Sequence, residues 1–172
     1  KENNIVLDIG SGIGGPARYL ANKTNSKIYA VELQKSLNNI ASELTHNYKL
    51  EKNIFHINAD ILKYNFNKIK FNNIVSWLAF YHIPKRNELL KILYNLLYDK
   101  GYMYVEDFYI KKNITNNEKK LLAKNFHANH LVSLKTYKEE LKNNKFYLLD
   151  YSDMSADWTK FTQNRLLNFK KN

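Results

Sequence analysis

The sequence predicts an α/β protein built on a doubly wound, mostly parallel, Rossmann-like sheet with helices on both faces. Three observations predict it. Short apolar runs alternate with stretches of helical spacing along the first two thirds of the chain. One of those runs, around residues 74–78, is apolar almost without interruption, as a strand buried on both faces requires. The first run ends in a loop holding Gly10, Gly12, Gly14 and Gly15, four of the five glycines in the chain.

Residues 4–9 read as the first strand, followed by the glycine loop. A helix begins at about Gly15, with Pro16 in its first turn, where a missing N–H costs nothing. Residues 27–31 read as the second strand. Leu37, Ile40, Ala41 and Leu44 are spaced as one helix face over residues 34–48. Residues 54–58 and 74–78 are the third and fourth strands. Leu89, Leu90, Leu93 and Leu97 make an apolar stripe on a helix over residues 86–97. Asp99, Lys100 and Gly101 read as a turn before a fifth strand at 102–108. This alternation implies parallel pairing. After Phe108 the rhythm changes: helices at 118–128 and 136–143, a strand at 146–152, and an amphipathic helix at 156–169 with Trp158, Phe161, Leu166 and Phe169. No repeat or low-complexity linker divides the chain, so residues 1–172 read as one domain.

Composition narrows the function. A chain of 172 residues with 44% hydrophobic residues can bury a substantial core. Cysteine is absent, which excludes disulfides, thiolate chemistry and cysteine-ligated metals. No stretch approaches the roughly 18 apolar residues of a membrane span, and the first ten residues lack a signal-peptide pattern. The expectation is a cytoplasmic protein off the membrane. The formal charge of +11 invites a nucleic-acid reading, but 24 of the 27 basic residues are lysine, scattered without a long run. Arginine, the better phosphate reader, occurs only as Arg18, Arg86 and Arg165. Nucleic acid is therefore not the expected partner. His127 and His130, three apart in HANH, lack an evident third ligand, and no metal site is expected.

A strand that runs into bare glycine backbone and then a helix offers N–H groups to a ligand at close range. In an open α/β sheet that place is the topological switch point. The spacing alone is ambiguous. Gly10, Gly12 and Gly15 fit a dinucleotide fingerprint, whereas Asp8 with Gly10, Gly12 and Gly14 fits Asp-x-Gly-x-Gly-x-Gly. A pyrophosphate gains nothing from Asp8, but a ligand with a cationic end does. Asp8 is equally suited to tying the loop by accepting backbone N–H groups. Glu32 ends the second strand, 22 positions after Gly10, where a carboxylate can accept two ribose hydroxyls. Asp60 follows the third strand, as a ligand for an adenine amino group or as a turn residue.

With these residues in place, the chain resembles the class I S-adenosylmethionine-dependent methyltransferases. It is most similar to the small-molecule branch that includes phosphoethanolamine and sarcosine/dimethylglycine N-methyltransferases. VLDIGSGIGGPARYL, AVEL with Glu32, NADI with Asp60, IVSWLAFYHIP and YDKGYMYVEDF carry the resemblance, strongly from residue 3 to about 108. It implies S-adenosyl-L-methionine as cofactor, a small-molecule methyl acceptor, and a cofactor-binding half at 1–108 with a substrate-side half at 109–172. By resemblance Gly10 and Gly12, with Ser11 and Gly14 in the same loop, serve the methionine part. Glu32 takes the ribose, Asp60 the adenine, Leu33 and Ile61 sandwich the base, and Ser76 lies near the methionine part. The resemblance also implies a helix before the first strand and a seventh, antiparallel strand. Neither is visible in these residues, which suggests further chain or a partner.

His82 in YHIP matches a histidine that positions or deprotonates substrate in the phosphoethanolamine enzymes. It is equally placed to order the loop before Pro84. An aspartate that meets the amine in those relatives is replaced here by Leu78, and Trp77, Phe80, Tyr81 and Tyr109 are candidates for an apolar or cation–π pocket. Asp107, at the end of the fifth strand, is the candidate substrate-facing carboxylate, with a loop-capping role as its alternative. The competing functions are an RNA, DNA or protein methyltransferase, an oxidoreductase, and a catalytically silent cofactor-binding subunit. The segment SWLAFYHIP lacks a Pro-Pro-aromatic motif, and there is no cysteine for attack on cytosine carbon.

Overall fold

In the computed structural model, which describes residues 4–170, the apolar runs form β1 (Ile5–Ile9), β2 (Lys27–Glu32), β3 (Ile54–Asn58), β4 (Phe71–Trp77) and β5 (Leu97–Glu106). The helices are α1 (Gly15–Thr24), α2 (Lys35–Asn47), α3 (Arg86–Leu96), α4 (Asn116–Phe126), α5 (Leu134–Asn143) and α6 (Ser155–Phe169), with a one-turn 3-10 helix at Phe80–His82. Residues 1–3 and 171–172 of the expected single domain lie outside the described residues.

All strand pairs are parallel, in the order β3-β2-β1-β4-β5. The chain winds outward from β1 to β3, crosses back, and continues through β4 to β5. The winding reverses between β1 and β4, and every strand ends on the same rim of the sheet. That is the doubly wound α/β architecture expected from the alternation.

Two apolar layers cover the sheet. Successive side chains of a strand point to opposite faces. Leu7 and Ile9 of β1 therefore pack with Leu89, Leu90 and Leu93 of α3, while Val6 packs with Ala17 and Ala21 of α1. Leu89, Leu90 and Leu93 of the stripe read from the sequence are the buried face of α3, whereas Leu97, its fourth member, opens β5 and pairs with Phe71. Phe71 is wholly buried, with Tyr29 and Phe66 meeting its ring edge-on at centroid distances of 5.6 and 5.3 Å. In the second half, α4 starts on a reciprocal capping box between Thr115 and Glu118, and α5 starts on the Ser133 hydroxyl, which accepts from the Thr136 N–H.

The fold departs from expectation in two places. The turn at 99–101 lies inside β5 as a bulge. Leu97 pairs with Phe71 and Tyr102 with Asn73, so four residues of β5 face one of β4, with Lys100 at φ +63°. The strand expected at 146–152 is not a strand. Its aromatic and apolar residues favour extended backbone, but a strand exists only where a neighbour completes its ladder. Here the segment is held away from β5 across a cavity of about 1310 Å³, and Tyr147 and Leu149 are exposed.

Phe71→Ala is expected to destabilise the fold by about 3–5 kcal/mol, read from the shift of the urea unfolding midpoint.

Candidate functional site

Beyond β1 the chain turns over the end of β2. The Gly10 and Ser11 N–H groups both donate to the Val31 carbonyl, at 2.9 and 3.1 Å, and the Gly14 N–H donates to the Ser11 carbonyl at 2.8 Å. Gly10 has φ +68° and Gly14, the N-cap of α1, has φ +74°, both in the left-handed region that disfavours a side chain. A Cβ on Gly10 would stand 2.4 Å from the Cβ of Ala79, in the segment after β4.

The acids divide their work differently from the expectation. Glu32 is the residue that ties the loop. Its Oε2 accepts the Gly12 N–H at 2.9 Å and its Oε1 accepts the Gln34 N–H at 2.8 Å, which joins the glycine loop to the start of α2. Asp8 is 1% exposed, and among the described residues neither of its oxygens accepts a hydrogen bond. Burial, reinforced by the neighbouring Glu32 charge, pushes the Asp8 carboxyl up to about 7. The buried Ser11 hydroxyl likewise has no partner there. Unpaired polar groups of this kind gain from a ligand that pairs them.

On the far side of the rim, Asp60 is engaged in its own turn. Its Oδ1 accepts the Leu62 N–H at 3.0 Å, and its Oδ2 lies 3.5 Å from the Lys63 ammonium. Leu33 is 69% exposed, whereas Ile61 is buried in the core with Phe66 and Phe71. The Asn58 side-chain amide donates to the Glu32 and Leu33 carbonyls, both at 2.9 Å, and fixes the end of β2. The buried Ser76 hydroxyl donates to the Ile9 carbonyl at 3.0 Å. The structure thus gathers Asp8, Gly10, Ser11, Gly12, Gly14 and Glu32 at the switch point, with Leu33, Asp60 and Ile61 flanking them.

After β4, Leu78 holds φ +54°, a conformation that costs a non-glycine residue about 1–2 kcal/mol. Its N–H donates to the Glu106 carbonyl at 2.7 Å. Phe80 and Tyr81 are buried core residues, and the Tyr109 hydroxyl accepts from that of Tyr151 at 3.0 Å. His82 is exposed, with Nδ1 3.1 Å from the His127 carbonyl. Asp107 points inward: its side chain is 4% exposed, 3.6 Å from the Arg86 guanidinium. It accepts the Tyr137 hydroxyl and the Tyr81 N–H, both at 3.4 Å. Burial outweighs the Arg86 charge and pushes its carboxyl up to about 6. The carboxylate expected to face substrate is therefore committed to neighbours, because the residues that follow β5 fold it back over α3 and α5. The rim end of the cavity beside β5 is lined by Leu78, Glu106, Phe108, Tyr109 and Trp158, with the Trp158 indole N–H donating to Glu106 at 3.0 Å.

Arg86 and Tyr137 had no place in the expected site. Arg86 is buried, and its guanidinium meets Asp107, Glu140 and the Tyr137 ring. The signal that marks it is an arginine retained in a chain that uses lysine almost everywhere else.

A family model described as a methyltransferase domain matches residues 6–101. The phosphoethanolamine N-methyltransferase of Plasmodium falciparum is 28% identical over 167 residues, covering 94% of this chain and 60% of that protein. A sterol 24-C-methyltransferase of Kluyveromyces lactis is 24% identical over 166 residues, covering 90% of this chain and 43% of that protein. The solved structure of Haemonchus contortus phosphoethanolamine N-methyltransferase 2, a complex with S-adenosyl-L-methionine, is similar at a TM-score of 0.91 and 21% identity, covering 100% of this chain and 40% of that one. The chain spans less than two thirds of the length of these relatives.

The Asp8 carboxyl gives a pH signature. Between its ordinary 3.8 and about 7, the folded chain holds a proton that the unfolded chain has released, so stability falls as pH rises through that window. Asp8→Asn is expected to flatten the fall. Urea unfolding of both proteins between pH 4 and 8 measures it, and parallel curves would refute the assignment.

Proposed function

The chain belongs to the methyltransferase domain family, and we propose that it moves a methyl group from S-adenosyl-L-methionine to a small-molecule acceptor. One observation carries the reading: a buried, unpaired Asp8 carboxyl beside Glu32, under a glycine loop at the topological switch point. Two acids packed together in low dielectric favour a cation and oppose a pyrophosphate. The residues present suit a donor with an ammonium and a sulfonium.

When bound, that donor supplies an electrophilic methyl group whose transfer releases a neutral thioether. The protein's task is chiefly alignment and exclusion of water. The main chain of Gly10, Ser11, Gly12 and Gly14 and the charge of Asp8 hold the methionine end in this reading. Ser76, whose side chain is turned to β1, contributes there through its backbone. Glu32 has a second lone pair on each oxygen beyond the two backbone bonds it accepts, and these take the ribose hydroxyls. Asp60, with Leu33 and Ile61, serves the adenine. His82 takes the proton of the acceptor when the nucleophile carries one. Asp107 acts from behind, by holding the Tyr81–His82 turn. Leu78 offers a cationic amine no close counter-charge, which favours a neutral group at that point of the acceptor. The setting assigned is cytoplasmic, with neither nucleic acid nor membrane as partner. No helix among the described residues is long and apolar enough to cross a membrane.

Two measurements test this. Glu32→Ala is expected to abolish or greatly weaken S-adenosylmethionine binding in calorimetry, because both the ribose partner and the tie to the loop are lost. Unchanged affinity would refute the site. Affinity of the unmodified chain is expected to rise with pH through about 7, since a cation beside Asp8 favours its ionised form. Turnover with a panel of amines, carboxylic acids and phenols then identifies the acceptor class.

A further inference from the structure

His82 ends the one-turn helix Phe80–His82, and its Nδ1 lies 3.1 Å from the His127 carbonyl oxygen. A carbonyl carries no hydrogen, so the proton in that bond belongs to Nδ1. In the neutral ring, Nε2 is then the unprotonated nitrogen.

The placement of that carbonyl is determined by its surroundings. His130 donates its N–H to the Tyr81 carbonyl at 3.1 Å, and Asn129 donates its own to the His127 carbonyl at 3.0 Å. Arg86 donates from Nη2 to the His130 carbonyl at 2.8 Å. The same guanidinium lies 3.4 Å from Glu140, 3.6 Å from Asp107 and 4.4 Å from the centroid of the Tyr137 ring. Asp107 in turn accepts the Tyr81 N–H at 3.4 Å. One buried group therefore holds the segment that brings the carbonyl directly, through the His130 carbonyl, and reaches the turn that brings the imidazole through the Asp107 carboxylate. A planar fork can reach four neighbours at once, whereas an ammonium acts as a point charge.

We propose that Arg86 is a positioning residue for His82, holding the His127 carbonyl against Nδ1 so that Nε2 is presented as the base. The HANH segment then serves the site through its main chain. The inference rests on His82 being the base, and its deciding readout, the tautomer of the ring, needs no acceptor.

The test is a long-range proton–nitrogen spectrum of the chain labelled with ¹⁵N-histidine, at a pH about 1.5 units above the ordinary imidazole value, with His82→Gln to assign the signal. Expected is a His82 ring protonated on Nδ1 in the unmodified chain. In Arg86→Lys, which keeps the charge but loses the fork, the population shifts toward the form protonated on Nε2. Its kcat falls at least about tenfold, with donor affinity within about twofold. A proton on Nε2 in the unmodified chain overturns the proposal, as does an Arg86→Lys spectrum identical to it. Should Arg86→Lys fail to fold, the unmodified spectrum and Glu140→Gln, which loosens the same guanidinium, decide instead. A tautomer shift in a chain that turns over no acceptor keeps the positioning role and sinks the proposed activity.

Discussion

Strands that all run one way must all finish on the same edge. That constraint organises everything at the candidate site. β1 delivers the glycine loop, β2 Glu32, β4 the Tyr81–His82 turn and β5 Asp107 to a single rim, because each pairing is parallel. The reversal of winding between β1 and β4 leaves a crevice there that no crossover helix fills. Into it the chain places an acid that accepts no hydrogen bond among the described residues. A fold this size has only a small margin of stability, so an unpaired buried carboxyl is a standing expense that a bound cation would relieve.

The two sides of the rim are built by opposite strategies. At the glycine loop, on the side proposed for the donor, main chain does the shaping, with Glu32 as the clasp between the loop and α2. On the acceptor side, side chains do it. Arg86, Asp107, Glu140 and Tyr137 form a buried cluster that joins α3, the end of β5 and α5. Buried ion pairs contribute uncertainly to net stability, but removing one partner is strongly destabilising. Such a cluster therefore fixes geometry firmly, which is what the proposed in-line methyl transfer requires.

Much of this was readable from residues alone. The glycine spacing, the acids at successive strand ends and three of the four stripe leucines of α3 correspond to what the structure shows. Sequence could place Asp8 and Glu32 at the rim but not divide their roles, because the path of the loop over the end of β2 decides which oxygens meet N–H groups. Asp107 was legible as a rim acid, but not its inward direction, which depends on Arg86 and Tyr137 arriving from 21 and 30 positions away. Residues 146–152 have the composition of a strand and lack its neighbour, a condition no local pattern reports. The turn at 99–101 was read correctly as a local break, but as one lying before the fifth strand, whereas β4 and β5 pair on both sides of it.

The contact between Gly10 and Ala79 reaches into how such a chain can vary. A side chain at position 10 would run into the Ala79 methyl, so the loop keeps its glycine while that methyl is there. Ala79 can shrink, but Gly10 still cannot enlarge freely, because its backbone angle penalises any side chain even after the methyl is gone. The glycine loop and the turn after β4 are thereby held at a fixed spacing.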